Sequence, residues 1–372
     1  MKVADVVREL EILAPPGLAA DGDNVGLLVG DLAAEVKKVL LCVDLGESVL
    51  SEAVRARAQM VVAHHPPIFE SIKRVTAEQT PVVYTAARRG VAVYSAHTNL
   101  DVAPGGTNDV LSEALGLVER RPLEPIIRRD QCKIVVFVSP DDLSHVAAAA
   151  FAAGAGRMGN YYDCAFFCHG ISSFCGGRGS HPTVGQAGRH EVTEELRLEM
   201  VCPRSKAAEI RSAIRAAHTY EEPAVDTYPL EDFPPGCGNG RIGTLKRPVT
   251  VRTLINRVKK AMGVKRVLLA AASSEKGGDG KGTLVTTAAC CAGSAGSLVG
   301  PAAAQGATFY VAGELSHHEA IGAVAAGLTV VCLGHGNSER LAMARLGERL
   351  SGALPKLKTI ISQRDRDPYT VA

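Results

Sequence analysis

Apolar residues at Val3, Val6, Val7, Leu10 and Leu13 recur at helical spacing and stop before Pro15-Pro16, so the chain opens on an amphipathic helix. Asp23-Asn24-Val25-Gly26 reads as a turn into a short strand. Residues 38–44 form a strand, and residues 47–58 form a second amphipathic helix. The apolar run ending at Val61-Val62-Ala63 marks a buried strand and completes a β-α-β unit with a parallel pair. It delivers His64-His65, after which Pro66-Pro67 keeps the strand from continuing and a helix from starting at once. A helix over 81–89 and a strand over 91–96 follow, the strand running into His97-Thr98-Asn99-Leu100-Asp101. Asn108 then starts a helix through Leu115.

Near Pro122 to Pro125 the pattern changes. Strands are expected at 133–139, 161–168, 194–202 and 226–230, with helices at 142–153 and 205–217. That β-α-β-β-α-β order is the ferredoxin-like plan, and it closes at Phe233-Pro234-Pro235-Gly236. The glycine-rich segment 174–188 is long for a hairpin connection. Helix and strand alternate again from Gly243: a helix over 251–262, a strand over 267–272, strands over 308–312 and 328–333, and a last helix from about Asn337. The stretch 276–282 reads as a surface loop without phosphate-loop spacing. Gly293-Ser294-Ala295-Gly296-Ser297 either caps the helix from Leu298 or presents amides to an anion. The expected architecture is a discontinuous α/β domain, residues 1–125 and 236–372, with a ferredoxin-like domain inserted at 126–235.

Length agrees, since 372 residues suit two or three domains better than one core. With 41 Lys plus Arg against 39 Asp plus Glu, the net charge makes no electrostatic case for a nucleic-acid partner. No apolar run reaches the ~18 residues of a membrane span, and Lys2, Asp5, Arg8, Glu9 and Glu11 break up the first helix, so neither span nor signal peptide is expected. Ten cysteines are scattered, several within apolar runs, as in a reduced cytoplasmic protein. Cys164, Cys168 and Cys175, with His169 and His181, follow no standard zinc spacing.

The chemistry gathers at strand ends, where open α/β sheets bind ligands. Gly313-Glu314 with His317-His318-Glu319 follows one late strand, and Gly334-His335 with Ser338-Glu339 follows the next. Singly, each polar group has a plainer use, the histidines closing a turn and Asp101 capping a helix. Together His64, His65, Asp101, His335 and Glu339 make an imidazole and carboxylate set suited to Zn, Mn, Fe or Ni. Because adjacent strand residues point to opposite sides, the neighbouring histidines at the bend would serve two ions better than one. Asp101 or Glu339 would bridge those ions, and the open coordination positions of a catalytic site would hold water. His97, His318 and Glu319 are candidates to move protons.

The segments His64-His65-Pro66-Pro67-Ile68-Phe69, Ser95-Ala96-His97-Thr98-Asn99-Leu100-Asp101, Gly313-Glu314 with His318-Glu319, and Gly334-His335 with Ser338-Glu339-Arg340 closely resemble the NIF-three-like family. Its members often carry the label GTP cyclohydrolase 1 type 2 homologue. The resemblance implies a dinuclear site of two divalent transition-metal ions on His64, His65, Asp101, His335 and Glu339. It implies a homohexamer, a trimer of dimers or dimer of trimers, and an inserted CutA-like or PII-like module, for which Tyr220-Glu221-Glu222-Pro223-Ala224 and Gly240-Arg241-Ile242-Gly243 fit the pattern. Gly22 departs from it, where the family usually has an aromatic residue. The expected function is a metal-dependent hydrolase in which metal-bound hydroxide attacks a nucleotide or related small molecule, with GTP ring opening as the named activity. Two alternatives use the same ligands: a non-enzymatic toroidal regulatory protein whose module binds a partner or effector, and a dimetal phosphoesterase.

Overall fold

In the computed structural model, which describes residues 1–232, 234–272 and 282–369, the first helix, α1 (Val3–Leu13), buries Val3, Val6, Val7 and Leu10. It is followed by β1 (Gly26–Val29), β2 (Lys38–Cys42), α2 (Glu47–Arg55), β3 (Met60–Ala63), α3 (Pro81–Arg89), β4 (Ala92–Ser95), α4 (Thr98–Val102), α5 (Thr107–Leu115) and β5 (Leu117–Pro125). Next come β6 (Gln131–Val138), α6 (Leu143–Ala152), β7 (Phe166–Cys175), β8 (His190–Pro203), α7 (Ala207–Ala217) and β9 (Val225–Pro229). The chain continues through β10 (Gly238–Thr250), α8 (Val251–Met262), β11 (Leu268–Ala270), β12 (Leu284–Ser294), α9 (Val299–Ala304), β13 (Phe309–Glu314), α10 (His317–Ala325), β14 (Thr329–Cys332), α11 (His335–Ala353) and β15 (Lys358–Ile361). Apart from Gly282, the loop expected at 276–282 lies outside the described residues. No described helix is long and apolar enough to cross a membrane.

The chain divides into two compact units, residues 1–126 with 235–372, and residues 127–234. The first unit holds two mixed sheets, ordered β1-β4-β3-β2-β15 and β11-β14-β13-β12-β10-β5. In the first sheet β4, β3, β2 and β15 are parallel, which is why β3 is buried at every position. In the second, β12, β13 and β14 are parallel, while β10 and β5 extend the sheet antiparallel. Helix α11 lays Met343, Leu346 and Leu350 into the core with Val39, Leu41, Met60 and Val62 of the first sheet. At its start, Ser338 Oγ accepts from Gly293 N of the second sheet at 2.9 Å. That helix brings the two sets of parallel strand ends face to face.

Strands β5, β10 and β12 were not expected from the periodicity. Their polar positions and their alanines dilute the apolar signal, and pairing with one another supplies what the side chains do not. Similarly β7 runs later than the expected 161–168, because its ten-residue register with β8 reaches Cys175 opposite His190.

Residues 127–234 form their own sheet, ordered β7-β8-β6-β9 with every neighbour antiparallel. Ile134, Val136, Val146, Leu198, Ile210 and Ile214 pack α6 and α7 onto one face. The first unit closes at the boundary by itself: Pro125 is the register partner of Gly238, and Ile126 N donates to Cys237 O at 3.2 Å. The chain therefore leaves and re-enters that unit through adjacent, paired residues.

Candidate metal centre

The ladder between β2 and β3 runs past the end of β3, with His64 N donating to Cys42 O and His65 N to Val43 O, both at 3.0 Å. The two prolines that follow have no N–H to carry it further. The bend turns both imidazoles to one side, their centroids 5.1 Å apart. Nε2 of His64 lies 3.7 Å from Oε1 of Glu339, and Nε2 of His65 lies 3.3 Å from Oε2. The expected divergence of adjacent strand residues fails here because alternation holds only while the backbone stays extended.

From β4 the chain enters α4 at His97 and places Asp101 Oδ1 3.5 Å from His64 Nε2. Helix α11 starts at His335, earlier than expected, and Glu339 one turn later puts Oε1 3.3 Å from His335 Nε2. The ring of His97 stands 5.4 and 5.5 Å from those of His64 and His65, and His335 stands 5.2 Å from His65. The structure thus brings His64, His65, Asp101, His335 and Glu339 together, with His97 beside them.

Each of these four histidines has Nδ1 committed to an acceptor. The partners are Ala96 O at 2.7 Å for His64, Asp44 at 2.8 Å for His65, Asp23 at 2.8 Å for His97 and Glu314 at 2.9 Å for His335. Such bonds fix ring orientation and leave Nε2 to a ligand. Asp44 escaped the sequence reading, although it stands just past a strand end like the ligands themselves. Asn108 does more than start α5. Its Nδ2 donates to Asp101 O at 2.9 Å, and its Oδ1 accepts from Ala292 N at 2.9 Å, which ties the two sheets together behind the cluster.

Three buried atoms of the cluster, His64 Nε2, Asp101 Oδ1 and Glu339 Oε2, have no hydrogen-bond partner. Leaving such atoms unpaired is costly, and cations bound at the cluster would satisfy them. His64, His65 and Glu339 offer ligand atoms within 4.8 Å of one another, a group able to hold a metal ion. The residues present therefore fit a divalent transition metal. Among the described residues, Cys164, Cys168 and Cys175 form no such group.

Without metal the cluster is held by charge. Burial opposes protonation of His65, but Asp44 and Glu339 outweigh it and raise its pKa to about 10. Burial likewise opposes ionisation of Glu339, and the histidines outweigh it, holding the carboxyl far below the usual range. Burial raises Asp101 despite His64. The His65 contribution to stability of the metal-free fold is fully present below its unfolded value of ~6.5 and is lost as pH rises through about 10. The Glu339 contribution is present above its ordinary carboxylate range and is lost in strong acid. A metal must displace the His65 proton, so its dissociation constant should fall by up to about tenfold per pH unit between roughly pH 6 and 9. Competition titration against a chelator across that range measures this, and a flat response would refute it.

Glu319 forms the cap of α10. Its Oε2 accepts from Ser316 N at 2.7 Å and Ser316 Oγ accepts from Glu319 N, a capping box at the start of α10. A Cβ on Gly296 would fall 1.8 Å from Glu319 Oε1, so the carboxylate approaching that glycine-rich turn is the chain's own. His318 is exposed, and among the described residues no hydrogen bond or ion pair joins either residue to the four-histidine cluster.

A family model described as Duf34/NIF3 (NGG1p interacting factor 3) matches residues 1–368. The chain is 36% identical over 371 residues to a Bacillus subtilis protein named GTP cyclohydrolase 1 type 2 homolog, covering 98% of this chain and 97% of that one. Among solved structures, a Bacillus cereus protein related to NIF3 is 31% identical with a TM-score of 0.66, over 100% of this chain and 99% of its own. A Staphylococcus aureus protein, 22% identical, shares the fold at a TM-score of 0.77 over 100% and 99% of the two chains.

Proposed function

We propose that this chain, which belongs to the Duf34/NIF3 family, is a hydrolase that uses two divalent transition-metal ions held by His64, His65, Asp101, His335 and Glu339. The observation that carries this reading is the division of one buried carboxylate: Oε1 of Glu339 faces His64 and His335, whereas Oε2 faces His65. That is the arrangement a carboxylate takes when it bridges two ions. Ions bound there supply Lewis acidity and lower the pKa of water. The protein's part is orientation and proton handling. Asp44, Asp23 and Glu314 hold three rings in place, and His97, fixed through Nδ1, keeps Nε2 to accept or return a proton beside the cluster. Of the other residues expected to move protons, Glu319 is committed to the α10 cap and His318 faces solvent, so the reading rests on His97.

The name of the Bacillus subtilis relative makes GTP the first substrate to test. Purified protein loaded with Zn, Mn, Fe or Ni, with metal content measured on the same preparation, should turn over a nucleotide in a metal-dependent way. Turnover of phosphodiesters alone would move the substrate class to phosphoesters. No turnover of either class by fully loaded protein would overturn the hydrolase reading in favour of a metal-binding regulatory role. Cytoplasmic location and assembly as a homohexamer belong to the same proposal.

The same reading takes residues 126–235 as an inserted ferredoxin-like domain, supported by the β-α-β-β-α-β order and the sheet order β7-β8-β6-β9. Because Ile126 and Cys237 are hydrogen-bonded neighbours, deleting 127–234 and joining the ends by a few flexible residues should leave a folded first unit with parental metal content. Circular dichroism and elemental analysis test this, and an insoluble or metal-free product would mean that the two parts share a core.

A further inference from the structure

Residues 127–234 enclose a cavity of about 390 Å³ that the metal chemistry does not use. It lies between the end of the sheet, the turn after α7, and the segment that links β7 to β8. That segment is tied down by His181 N donating to Glu221 Oε1 at 2.9 Å and Thr183 Oγ1 donating to Thr219 O at 3.0 Å. The walls are largely apolar, with the rings of Phe137 and Phe174 among them. Two features break that character. Glu195 lines the cavity at only 7% exposure, and the buried Tyr220 hydroxyl is directed at that carboxylate, leaving its own lone pairs to accept. Burial and the nearby Glu195 push the Tyr220 phenol up to about 12, so it stays a neutral hydroxyl. Glu221 and Glu222 also line the space, and among the described residues lining it there is no Lys, Arg or His. Arg197, two residues along β8 from Glu195, sits over one face of the Phe137 ring, 5.9 Å from its centre, and is held there by Glu199 at 3.3 Å, outside the cavity lining.

A buried carboxylate with no cation among the residues lining its cavity, a phenol hydroxyl beside it with lone pairs to spare, and largely apolar walls form a site for a charge that has to come from outside. We propose that this cavity binds a small organic cation, an ammonium or amidinium group on an aromatic or apolar body, with the charge on Glu195, a hydrogen bond to Tyr220 and the body against Phe137 and Phe174.

The test is calorimetric titration of the full-length, metal-loaded protein with benzamidine and phenethylamine, and with benzyl alcohol as the neutral control. The cations should bind at least tenfold more tightly than the alcohol. Glu195→Gln should weaken them about tenfold or more and Tyr220→Phe severalfold, with metal content unchanged. Ser172→Leu, which fills the cavity from the strand side, should abolish binding and serves if Glu195→Gln does not fold. Equal affinity for the alcohol, full cation affinity in Glu195→Gln or in Ser172→Leu, or no binding of either cation up to about 10 mM would each overturn the proposal.

Discussion

Glutamine in place of Glu339 should strip the cluster of metal, lowering affinity by at least a hundredfold, measured by competition with a chelator and by elemental analysis of the purified variant. The side chain is nearly inaccessible, and its two oxygens face three imidazoles between them, His64 and His335 at Oε1 and His65 at Oε2. An amide keeps the shape but removes the charge and one acceptor oxygen, so no ion can be shared across it. The metal-free variant should also lose the paired charge that holds His65 near a pKa of about 10, and its imidazole should titrate closer to the ordinary histidine range in a proton NMR titration. Parental metal content in the variant would eliminate the bridging role.

The second large effect concerns Arg241, which is 1% exposed and the largest fully buried side chain among the described residues. Its Nε and Nη2 donate to the two Asp109 oxygens at 2.6 and 3.1 Å, while Nη1 donates to Gly238 O at 2.7 Å and Gly240 O at 2.8 Å. Replacement by methionine would leave the partly buried Asp109 carboxylate with Gly105 N as its remaining donor and several buried carbonyls unpaired, at about 3 kcal/mol. The melting transition of the first unit should fall by roughly 10 °C or more, while that of residues 127–234 stays in place. Lysine should rescue little, since it cannot reproduce the planar fork. Pairing Arg241→Met with Asp109→Leu should recover part of the loss, because the worst consequence is a charge left alone. A single variant that melts like the parent would show that the pair contributes little to stability.

Much of the site could be read from residue order because it follows one rule: buried strands end and polar groups begin. Met60–Ala63 and Pro81–Arg89 match the expected bounds, the first because an unbroken apolar run has few other uses, the second because Pro81 and Gly90 mark its ends. Less visible was anything whose purpose depends on a distant partner. Asn108 looks like an ordinary helix start until Ala292 is brought to it, and Asp44 looks like the last residue of a strand until His65 meets it. The long strands β5, β10 and β12 carry polar or small residues that a local pattern reads as loop, and only their mutual pairing makes them sheet. The direction of His65 was misjudged for a similar reason, since the bend that turns it toward Glu339 is set by two prolines and a neighbouring strand rather than by strand alternation.

The wide separation of the cluster's residues along the chain also bears on how the protein is made. Nε2 of His64 and Oδ1 of Asp101 belong to a segment synthesised early, but the carboxylate that faces them stands at Glu339, on a helix that begins only at His335. A ribosome would have added more than two hundred further residues before that helix could leave the exit tunnel. Until then the chain carries His64, His65 and Asp101 with no Glu339 to complete the group. An ion that needs the whole cluster could therefore be captured only once synthesis has passed Glu339.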